Sequence, residues 1–419
     1  MSATDKQANL AAYKEAIDSM SETAMTSIKR HGLKPRVCLK KEYGLALEGG
    51  GARGAYHVGA WKALRDTGIK IKGVAGTSVG ALIGALVVKD AMEEAIHIWS
   101  NISYSRIMEM DDEIMEKLFQ GNISFREMAP VLWDKLSKGG IGLSPLRQWI
   151  EEILDEDKVR NANKDFFLVT YSLSDMKGLK LGLDDIPYGQ LNDFLMASAY
   201  LFGFKNEKLH GKHYLDGSIV DNLPSEILID AGYKDIFKVH LLGIRKPAEP
   251  KYIDSPYEED CDDTVNEYDI IPRIKLGNII KFDKEKGIKN ITAGYFDGLR
   301  MIYGLEGLVY YIWQDYEHEW YAEKLEGLSI KRRTEITLKL KISIASNDKE
   351  LYMAMLEACA IQLKVQKYNI YTASELIETV DKRYQVFQKK ETSCEMEMPV
   401  FIQEFCQDYI IGKHDESVL

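Results

Sequence analysis

The stretch Gly76-Thr77-Ser78-Val79-Gly80 lies between two apolar runs. Residues 69–75 are apolar and β-branched enough to predict a buried strand, and residues 81–88 are small and apolar, as in a helix that packs on a sheet. The pattern G-x-S-x-G between a strand and a helix is typical of a nucleophile elbow, a sharp turn that exposes the serine hydroxyl. The sequence therefore predicts Ser78 as a nucleophile, with Gly76 and Gly80 allowing helix and strand to approach closely.

A glycine-rich loop follows an earlier predicted strand, residues 43–48, and opens a helix that we expect to reach about Arg65. The residues of this loop are Gly49, Gly50, Gly51, Ala52, Arg53 and Gly54. Backbone N–H groups at such a helix start bind anions. The spacing formally matches the dinucleotide pattern G-x-G-x-x-G, but the next strand ends at Ser78 and not at an acidic residue for ribose. The P-loop sequence Gly-Lys-Ser/Thr is also missing.

An oxyanion hole explains the glycine-rich loop better. In a parallel sheet, the carboxyl ends of neighbouring strands meet at one edge, so this loop and the predicted elbow would lie side by side. We expect backbone donors at residues 50–52 to face the negative oxygen of a tetrahedral intermediate on Ser78.

A candidate base follows in Asp216-Gly217-Ser218, between a short extended run at residues 213–215 and a predicted helix at residues 225–231. An isolated Asp-Gly is commonly a hairpin turn, but a nucleophilic serine needs a base within hydrogen-bond reach. His240 lies on a predicted strand at residues 237–242, where a histidine in mid-strand is more often a core residue. It leaves open the alternative of a general carboxylesterase or lipase with a Ser78, Asp216, His240 triad. We interpret His57 as structural or substrate-facing.

Three ordered motifs together resemble those of the bacterial patatin-like phospholipases, over residues 43–244. The motifs are Leu47-Glu48-Gly49-Gly50-Gly51-Ala52-Arg53-Gly54, Gly76-Thr77-Ser78-Val79-Gly80, and Asp216-Gly217 followed by Asn222-Leu223-Pro224. The resemblance implies an α/β fold with a three-layer α/β/α core, a mainly parallel sheet, and a Ser-Asp dyad without a catalytic histidine.

The resemblance also implies an activity and the role of each site residue. Ser78 would attack a fatty-acyl ester of a phospholipid or lysophospholipid, and Asp216 would take its proton. The loop at residues 49–54 would hold the oxyanion, with Arg53 helping to shape it, and no metal or cofactor would be needed. Two departures are Ser218, where a glycine or alanine is usual, and the lack of a proline near Leu201 or Phe202.

Composition limits the function classes. The 419 residues carry a net charge of -11, which argues against a nucleic-acid partner held by counterion release. Five scattered cysteines without a CxxC pair are typical of reduced thiols. With neither a secretory signal nor a membrane-spanning run in the sequence, we expect a cytoplasmic protein with at most peripheral membrane contact.

The chain is predicted to divide into four parts. Residues 1–41 are a helical arm and linker, and residues 42–246 are the acyl hydrolase core. Residues 247–272 are an acidic linker, in which the cluster at 258–263 is a solvated loop rather than a metal site. Residues 273–419 are a mixed, mostly helical C-terminal region, for which a pocket-extending, oligomeric or ligand-regulated role stays open.

Specific elements are expected in the C-terminal region. Residues 291–324 are predicted to be helical. The alternation of apolar residues at 336–344 predicts a half-buried strand. Thr372 and Glu375 form a capping box that predicts a helix start.

Overall fold

The computed structural model describes residues 3–120, 122, 130, 133–135, 137, 139–242, 264–390 and 399–411. These residues divide between two compact units. The first unit comprises Met1–Ser19 and Pro35–Ile302, and the second comprises Met20–Lys34 and Tyr303–Leu419.

Strands and helices alternate in the first unit. The strands are β1 (Glu42–Leu47), β2 (Lys70–Thr77), β3 (Asp165–Ser172), β4 (Lys177–Gly182), β5 (Tyr214–Asp216), β6 (Asp235–Val239) and β7 (Asn266–Ile270). The helices are α1 (Ala3–Arg30), α2 (Ala55–Asp66), α3 (Val79–Val88), α4 (Met92–Ser100), α5 (Tyr104–Ile107), α6 (Asp112–Phe119), α7 (Ser144–Ile153), α8 (Glu156–Asn161), α9 (Leu191–Ser198), α10 (Ser225–Asp230) and α11 (Lys284–Tyr303). The unit boundaries fall within α1 and at the last residue of α11.

A single sheet forms the centre of the first unit, with strands in the order β4-β3-β2-β1-β6-β7 and β5 paired to β3. Strands β3, β2, β1, β6 and β7 are mutually parallel, while β4 and β5 run antiparallel to β3. The carboxyl ends of β1 and β2 therefore lie at the same edge, as the parallel-sheet argument required. The predicted mainly parallel α/β sheet is confirmed.

Helices cover both faces of this sheet. A Cβ built on Gly84 of α3 would meet the side chains of Phe166 and Val74 on one face. The next residue of β2 after Val74, Ala75, belongs to a buried cluster with Leu228 of α10 on the other face. Successive strand residues thus point to opposite layers, which gives the predicted three-layer α/β/α arrangement.

The predicted acidic linker at residues 247–272 is wrong at its C-terminal end. Residues 266–270 are strand β7, which extends the sheet beside β6. Strand β7 is the last strand of the sheet, so it can form from a largely polar sequence, Asn-Glu-Tyr-Asp-Ile. Of its five residues, only Ile270 is fully buried. The acidic cluster at 258–263 lies outside the described residues.

The boundary predicted at residue 273 is also displaced. Helix α11 belongs to the first unit up to Ile302, because it packs tightly against α2. A Cβ on Gly59 would lie 1.9 Å from the Ile291 carbonyl oxygen, and one on Gly294 would lie 2.1 Å from that of Tyr56. Side chains would force these helix backbones apart, so the glycines set the close approach.

The second unit is mainly helical. Its strands, β8 (Tyr311–Trp313) and β9 (Ile370–Thr372), pair in parallel. Its further helices are α12 (His318–Lys324), α13 (Ile330–Leu340), α14 (Asp348–Gln362), α15 (Ala373–Lys390) and α16 (Val400–Phe405), and a π-helical turn follows at Cys406–Ile411. The capping box before α15 is confirmed, because Glu375 N–H donates to Thr372 Oγ1 at 3.1 Å and Thr372 N–H donates to the Glu375 carboxylate at 3.2 Å.

Two predictions for the second unit are wrong. The continuous helix at 291–324 is interrupted after Tyr303 and includes strand β8. The strand predicted at 336–344 is instead mostly helix α13, capped by Ser329, whose side chain accepts the Arg332 N–H. Burial follows helical spacing, because Ile336 is buried while Leu338, two residues later, is exposed.

Candidate active site

Ser78 occupies the turn between β2, which ends at Thr77, and α3, which begins at Val79. Its backbone has φ 55° and ψ -123°, a conformation that side-chain-bearing residues rarely adopt. Strain of this kind persists only where the surroundings enforce it, and it concentrates at functional sites. The predicted sharp turn at Ser78 is confirmed.

The two elbow glycines are required by close backbone contacts. A Cβ on Gly76 would lie 2.3 Å from the carbonyl of Gly80, and one on Gly80 would lie 2.2 Å from the Leu47 carbonyl oxygen of β1. Any side chain at either position would displace the turn from the sheet.

Asp216 is the last residue of β5, which pairs with β3 so that Asp216 faces Thr170. Its side chain is 3% exposed, and Oδ1 accepts the Ser218 N–H at 2.8 Å. Within the described part of the chain, Oδ2 is buried without a hydrogen-bond partner. Burial raises the pKa of Asp216, and interactions with the Ser78 hydroxyl and with Ser218 offset part of the rise. The structure thus brings Ser78 and Asp216 together, with an acceptor oxygen left over.

The glycine-rich loop follows β1 at the same edge. Gly51 has φ 54°, and a Cβ there would lie 2.2 Å from the Ile279 carbonyl oxygen. The N–H groups of Gly49, Ala52 and Arg53 donate to Asn222, Ile279 and Gly50, respectively. The prediction that the Ala52 N–H faces the oxyanion is therefore wrong, because this group already donates to the Ile279 carbonyl at 2.7 Å. Among the described backbone hydrogen bonds, none uses the N–H of Gly50 or Gly51.

The order and spacing of these features agree with a known family. Residues 45–229 match the family described as Patatin-like phospholipase. The chain contains a patatin-like phospholipase domain. This match includes the glycine-rich loop, the Ser78 turn and Asp216, and it leaves the second unit unassigned.

Curated relatives share parts of the patatin-like domain. The Lysophospholipase NTE1 of Coccidioides immitis is 52% identical over 61 residues, covering 15% of this chain and 4% of the relative. The Lysophospholipase NTE1 of Candida glabrata is 29% identical over 230 residues, covering 52% of this chain and 12% of the relative. A patatin-like phospholipase domain-containing protein of Caenorhabditis elegans is 24% identical over 225 residues, covering 52% of this chain and 15% of the relative.

The chain thus spans between 4% and 15% of the length of these three relatives. They come from fungi and a nematode, so the bacterial subgroup stays a prediction. Among solved structures, the crystal structure of VipD from Legionella pneumophila matches with a TM-score of 0.34 and 13% identity, covering 87% of this chain and 82% of that chain.

Arg53 of the patatin-like domain braces the loop from behind. Its Nε donates to the Gly277 carbonyl at 2.8 Å and its Nη1 to the Leu241 carbonyl at 3.2 Å. These bonds fix the guanidinium to the backbone of later segments, which fits the shaping role that the resemblance implied.

Three further residues hold the patatin-like site and were not predicted as part of it. Buried Glu48 accepts the N–H groups of Leu241 and Leu242 through Oε2, the latter at 2.9 Å, and its Oε1 accepts Asn222 Nδ2 at 3.2 Å. Ser198 is the third, because its hydroxyl bonds the Ser78 backbone. Sequence signals existed for all three: Glu48 precedes the glycines, Asn222 lies in the third motif, and Ala197-Ser198 resembles an Ala-Ser stretch of the same family.

Neither His240 nor His57 is placed as the histidine of a catalytic triad would be. His240 is the first residue beyond β6 rather than a mid-strand residue, and its Nε2 lies 2.6 Å from Asp269 Oδ1. No described contact joins it to Ser78 or Asp216. His57 is fully buried, and burial lowers the pKa of its imidazole to about 3, so it is neutral at physiological pH.

In the described ranges, no three His, Cys, Asp or Glu side chains are grouped so as to hold a metal ion. None of the helices there combines the length and apolar content needed to cross a bilayer.

Proposed function

We propose that this protein is a serine acyl hydrolase that cleaves fatty-acyl esters of phospholipids or lysophospholipids. One observation carries the proposal: Ser78 is held at φ 55° next to the buried carboxylate of Asp216, which has an unpaired oxygen. A strained serine beside a base is the arrangement that nucleophilic acyl transfer requires.

The first half-reaction forms an acyl-enzyme. Asp216 Oδ2 takes the Ser78 hydroxyl proton as Oγ attacks the ester carbonyl carbon. The N–H groups of Gly50 and Gly51 bind the resulting oxyanion, and the N-terminus of α3 adds a favourable field. The intermediate collapses, the ester C–O bond breaks, and protonated Asp216 returns the proton to the departing alkoxide.

The second half-reaction reverses these roles with water. Asp216 takes a proton from water as the oxygen attacks the acyl carbon on Ser78. Collapse of the second tetrahedral intermediate breaks the bond to Oγ, which recovers the proton from Asp216, and fatty acid is released. Every step uses groups of the chain itself, and no metal or cofactor is proposed.

The substrate class rests on two supports. The family description names phospholipases, and two of the relatives above are named lysophospholipases. A dyad is favoured over the Ser78, Asp216, His240 triad because His240 pairs with Asp269. We place the reaction in the cytoplasm, at a membrane surface, and the described cysteines, which are free thiols, support a reducing compartment.

Labelling by a fluorophosphonate probe tests this function directly. Wild type should label and should release fatty acid from lysophosphatidylcholine, whereas Ser78→Ala and Asp216→Asn should do neither. Ser105→Ala, which changes an exposed serine, is the matched control and should behave as wild type. Labelling of Ser78→Ala, or a wild type that neither labels nor releases fatty acid, would exclude the proposal.

A further inference from the structure

A loop beside the candidate site exposes an aromatic side chain completely. The Phe202 loop comprises residues 200–205, Tyr-Leu-Phe-Gly-Phe-Lys, and its Phe202 is 99% exposed. Leu201 and Phe204 on either side are half-buried. Burying a phenylalanine side chain is worth roughly 1.5–3 kcal/mol, so this exposure leaves a substantial driving force for docking.

The loop backbone is fixed at both ends, so the phenylalanine is held outward. The Tyr200 carbonyl accepts the Asp216 N–H at 2.9 Å. On the other side, Ile141 N–H donates to the Gly203 carbonyl at 3.0 Å, and Lys205 N–H donates to the Ile141 carbonyl at 2.8 Å. Phe202 therefore projects from a turn whose backbone is anchored on both sides.

The hydrogen bond between the Asp216 N–H and the Tyr200 carbonyl also joins the Phe202 loop to the candidate site. Phe202 lies two residues beyond Tyr200, whose carbonyl binds the backbone of Asp216. Ile219, three residues beyond Asp216, is another exposed apolar side chain at 61%. A surface that buried Phe202 and Ile219 would thus contact the two segments that adjoin Asp216.

Positive charge accompanies this apolar surface, although the chain as a whole carries -11. Residues 200–213 include three lysines and one glutamate. Lys212 pairs with Asp175 at 2.6 Å. Lys205 and Lys208 are exposed, and Lys205 contacts Glu207 at 3.6 Å. An exposed aromatic residue beside flexible lysines suits the boundary between lipid headgroups and acyl chains.

We propose that the Phe202 loop docks on the surface of an anionic phospholipid bilayer. Phe202 inserts among the acyl chains, Lys205 and Lys208 bind lipid phosphates, and the anchored backbone holds the Ser78 and Asp216 entrance against the membrane. The proposal rests on the proposed function for its choice of a lipid surface. A single projecting side chain presents far less area than a stable dimer buries, which disfavours a second copy of the chain.

Vesicle sedimentation tests the docking without catalysis. The full chain carrying Ser78→Ala is mixed with vesicles of phosphatidylcholine alone or with phosphatidylserine. It should bind the anionic vesicles, and adding Phe202→Ser should weaken binding about tenfold or more. Lys205→Glu with Lys208→Glu should abolish the preference for anionic vesicles.

Tyr188→Ser in the same background is the matched control. Tyr188 is 71% exposed and contacts Asp157, and it follows β4, which ends opposite Phe167 near the amino-terminal edge of the sheet. Its replacement should leave vesicle binding unchanged. Far-ultraviolet circular dichroism checks that each variant is folded.

The outcomes separate this inference from the proposed function. Equal binding of the parent and Phe202→Ser, or no binding by either, overturns the docking, whatever the hydrolysis assays show. Loss of self-association in Phe202→Ser without vesicle binding would assign the loop to a second copy and also overturn it. Conversely, a wild type without hydrolase activity refutes the proposed function while the binding result stands by itself.

Tryptophan fluorescence gives a second measurement of insertion. The fluorescence added by Phe202→Trp should shift to the blue with anionic vesicles, and no shift counts against insertion.

Discussion

The Ser198 hydroxyl connects the backbone of Ser78 to strand β3. It accepts the Ser78 N–H at 2.8 Å and donates to the Val169 carbonyl at 2.7 Å. Ser198 is fully buried, and Ser78 is 6% exposed. The strained turn is therefore held by a side chain from α9, and the N–H of Ser78 itself is not available to a substrate oxygen.

Replacing Ser198 by alanine should loosen this turn. Ser198→Ala leaves the Ser78 N–H and the Val169 carbonyl buried without partners, so the free energy of unfolding should fall by about 1–3 kcal/mol. Labelling of Ser78 should slow as well, because its backbone is no longer fixed. Urea denaturation and probe kinetics measure the two effects, with Ser105→Ala as the exposed control. Unchanged stability would show that the bond to Ser198 does not hold the turn.

Glu48 should act as a positioning residue for the glycine-rich loop. In Glu48→Gln, one carboxylate oxygen becomes an NH2 group that cannot accept the backbone N–H groups or the Asn222 amide. A hydrogen bond to a charged group is worth about 1.5–3 kcal/mol, so kcat should fall roughly tenfold to a hundredfold. Because Glu48 does not touch substrate, KM for a soluble ester should change little.

Glu42→Gln is the control for Glu48, since Glu42 lies at the exposed start of β1, the strand that ends directly before Glu48. It should keep the wild-type kcat. A rise in KM with unchanged kcat in Glu48→Gln would instead indicate a direct contact with substrate.

Two glycines of α3 should respond differently to alanine. The Cβ of Gly80→Ala would meet the Leu47 backbone oxygen at 2.2 Å, whereas that of Gly84→Ala would meet side-chain atoms of Phe166 and Val74 at 3.1 Å. Gly80→Ala should lose about 3 kcal/mol or more of stability and its probe labelling. Gly84→Ala should stay within about 1 kcal/mol of wild type, because better helix propensity offsets small side-chain shifts. Thermal unfolding compares them, and equal losses would contradict the backbone-contact argument.

The raised pKa of Asp216 predicts the acidic limb of the pH profile. Asp216 must be ionised to take the Ser78 proton, so kcat/KM should fall with decreasing pH through a pKa above the ordinary 3.8 of aspartate. A soluble ester assayed from about pH 3 to about pH 8 measures this limb, because the range begins below the ordinary pKa of aspartate. A limb at or below the ordinary value would argue against Asp216 as the buried base.

The same shift has an opposite consequence for stability. Burial disfavours the ionised carboxylate, so the unfolded chain releases this proton more readily than the folded one. The contribution of Asp216 to stability is greatest below the unfolded pKa and is lost as pH rises through the raised folded pKa. Asp216→Asn should therefore be inactive yet at least as stable as wild type at neutral pH, and a large loss of stability would contradict this.

His240 should be dispensable for acyl transfer. Its Nε2 pairs with Asp269, whose pKa is lowered despite burial by the bond from His240 and the charge of Lys238. In His240→Gln, the contact between Lys238 and Asp269 at 3.3 Å persists, so the fold should be kept. Probe labelling should stay within about threefold of wild type, whereas a triad histidine would cost more than roughly a thousandfold.

Several elements followed from local sequence pattern, and others did not. Strands β1 and β2 were predicted because central strands are mostly apolar. Strand β7 was taken as linker because an edge strand needs little apolar sequence, and helix α13 was taken as a strand because apolar alternation at 336–344 outweighed its short helical period. The surroundings of each segment, rather than its own residues, decided these cases.

The sequence by itself determined the strand, turn and helix around Ser78, the glycine-rich loop and the candidate base Asp216. Such motifs are local, and their glycines are required by the local backbone geometry. Only the tertiary structure decided which backbone N–H groups of the site stay unbonded. The acceptors of the Ala52 and Ser78 N–H groups, Ile279 and Ser198, come from distant segments. It likewise paired His240 with Asp269 and left Phe202 exposed. Hydrogen bonds and burial depend on which segments meet in space, and a linear pattern does not specify those meetings.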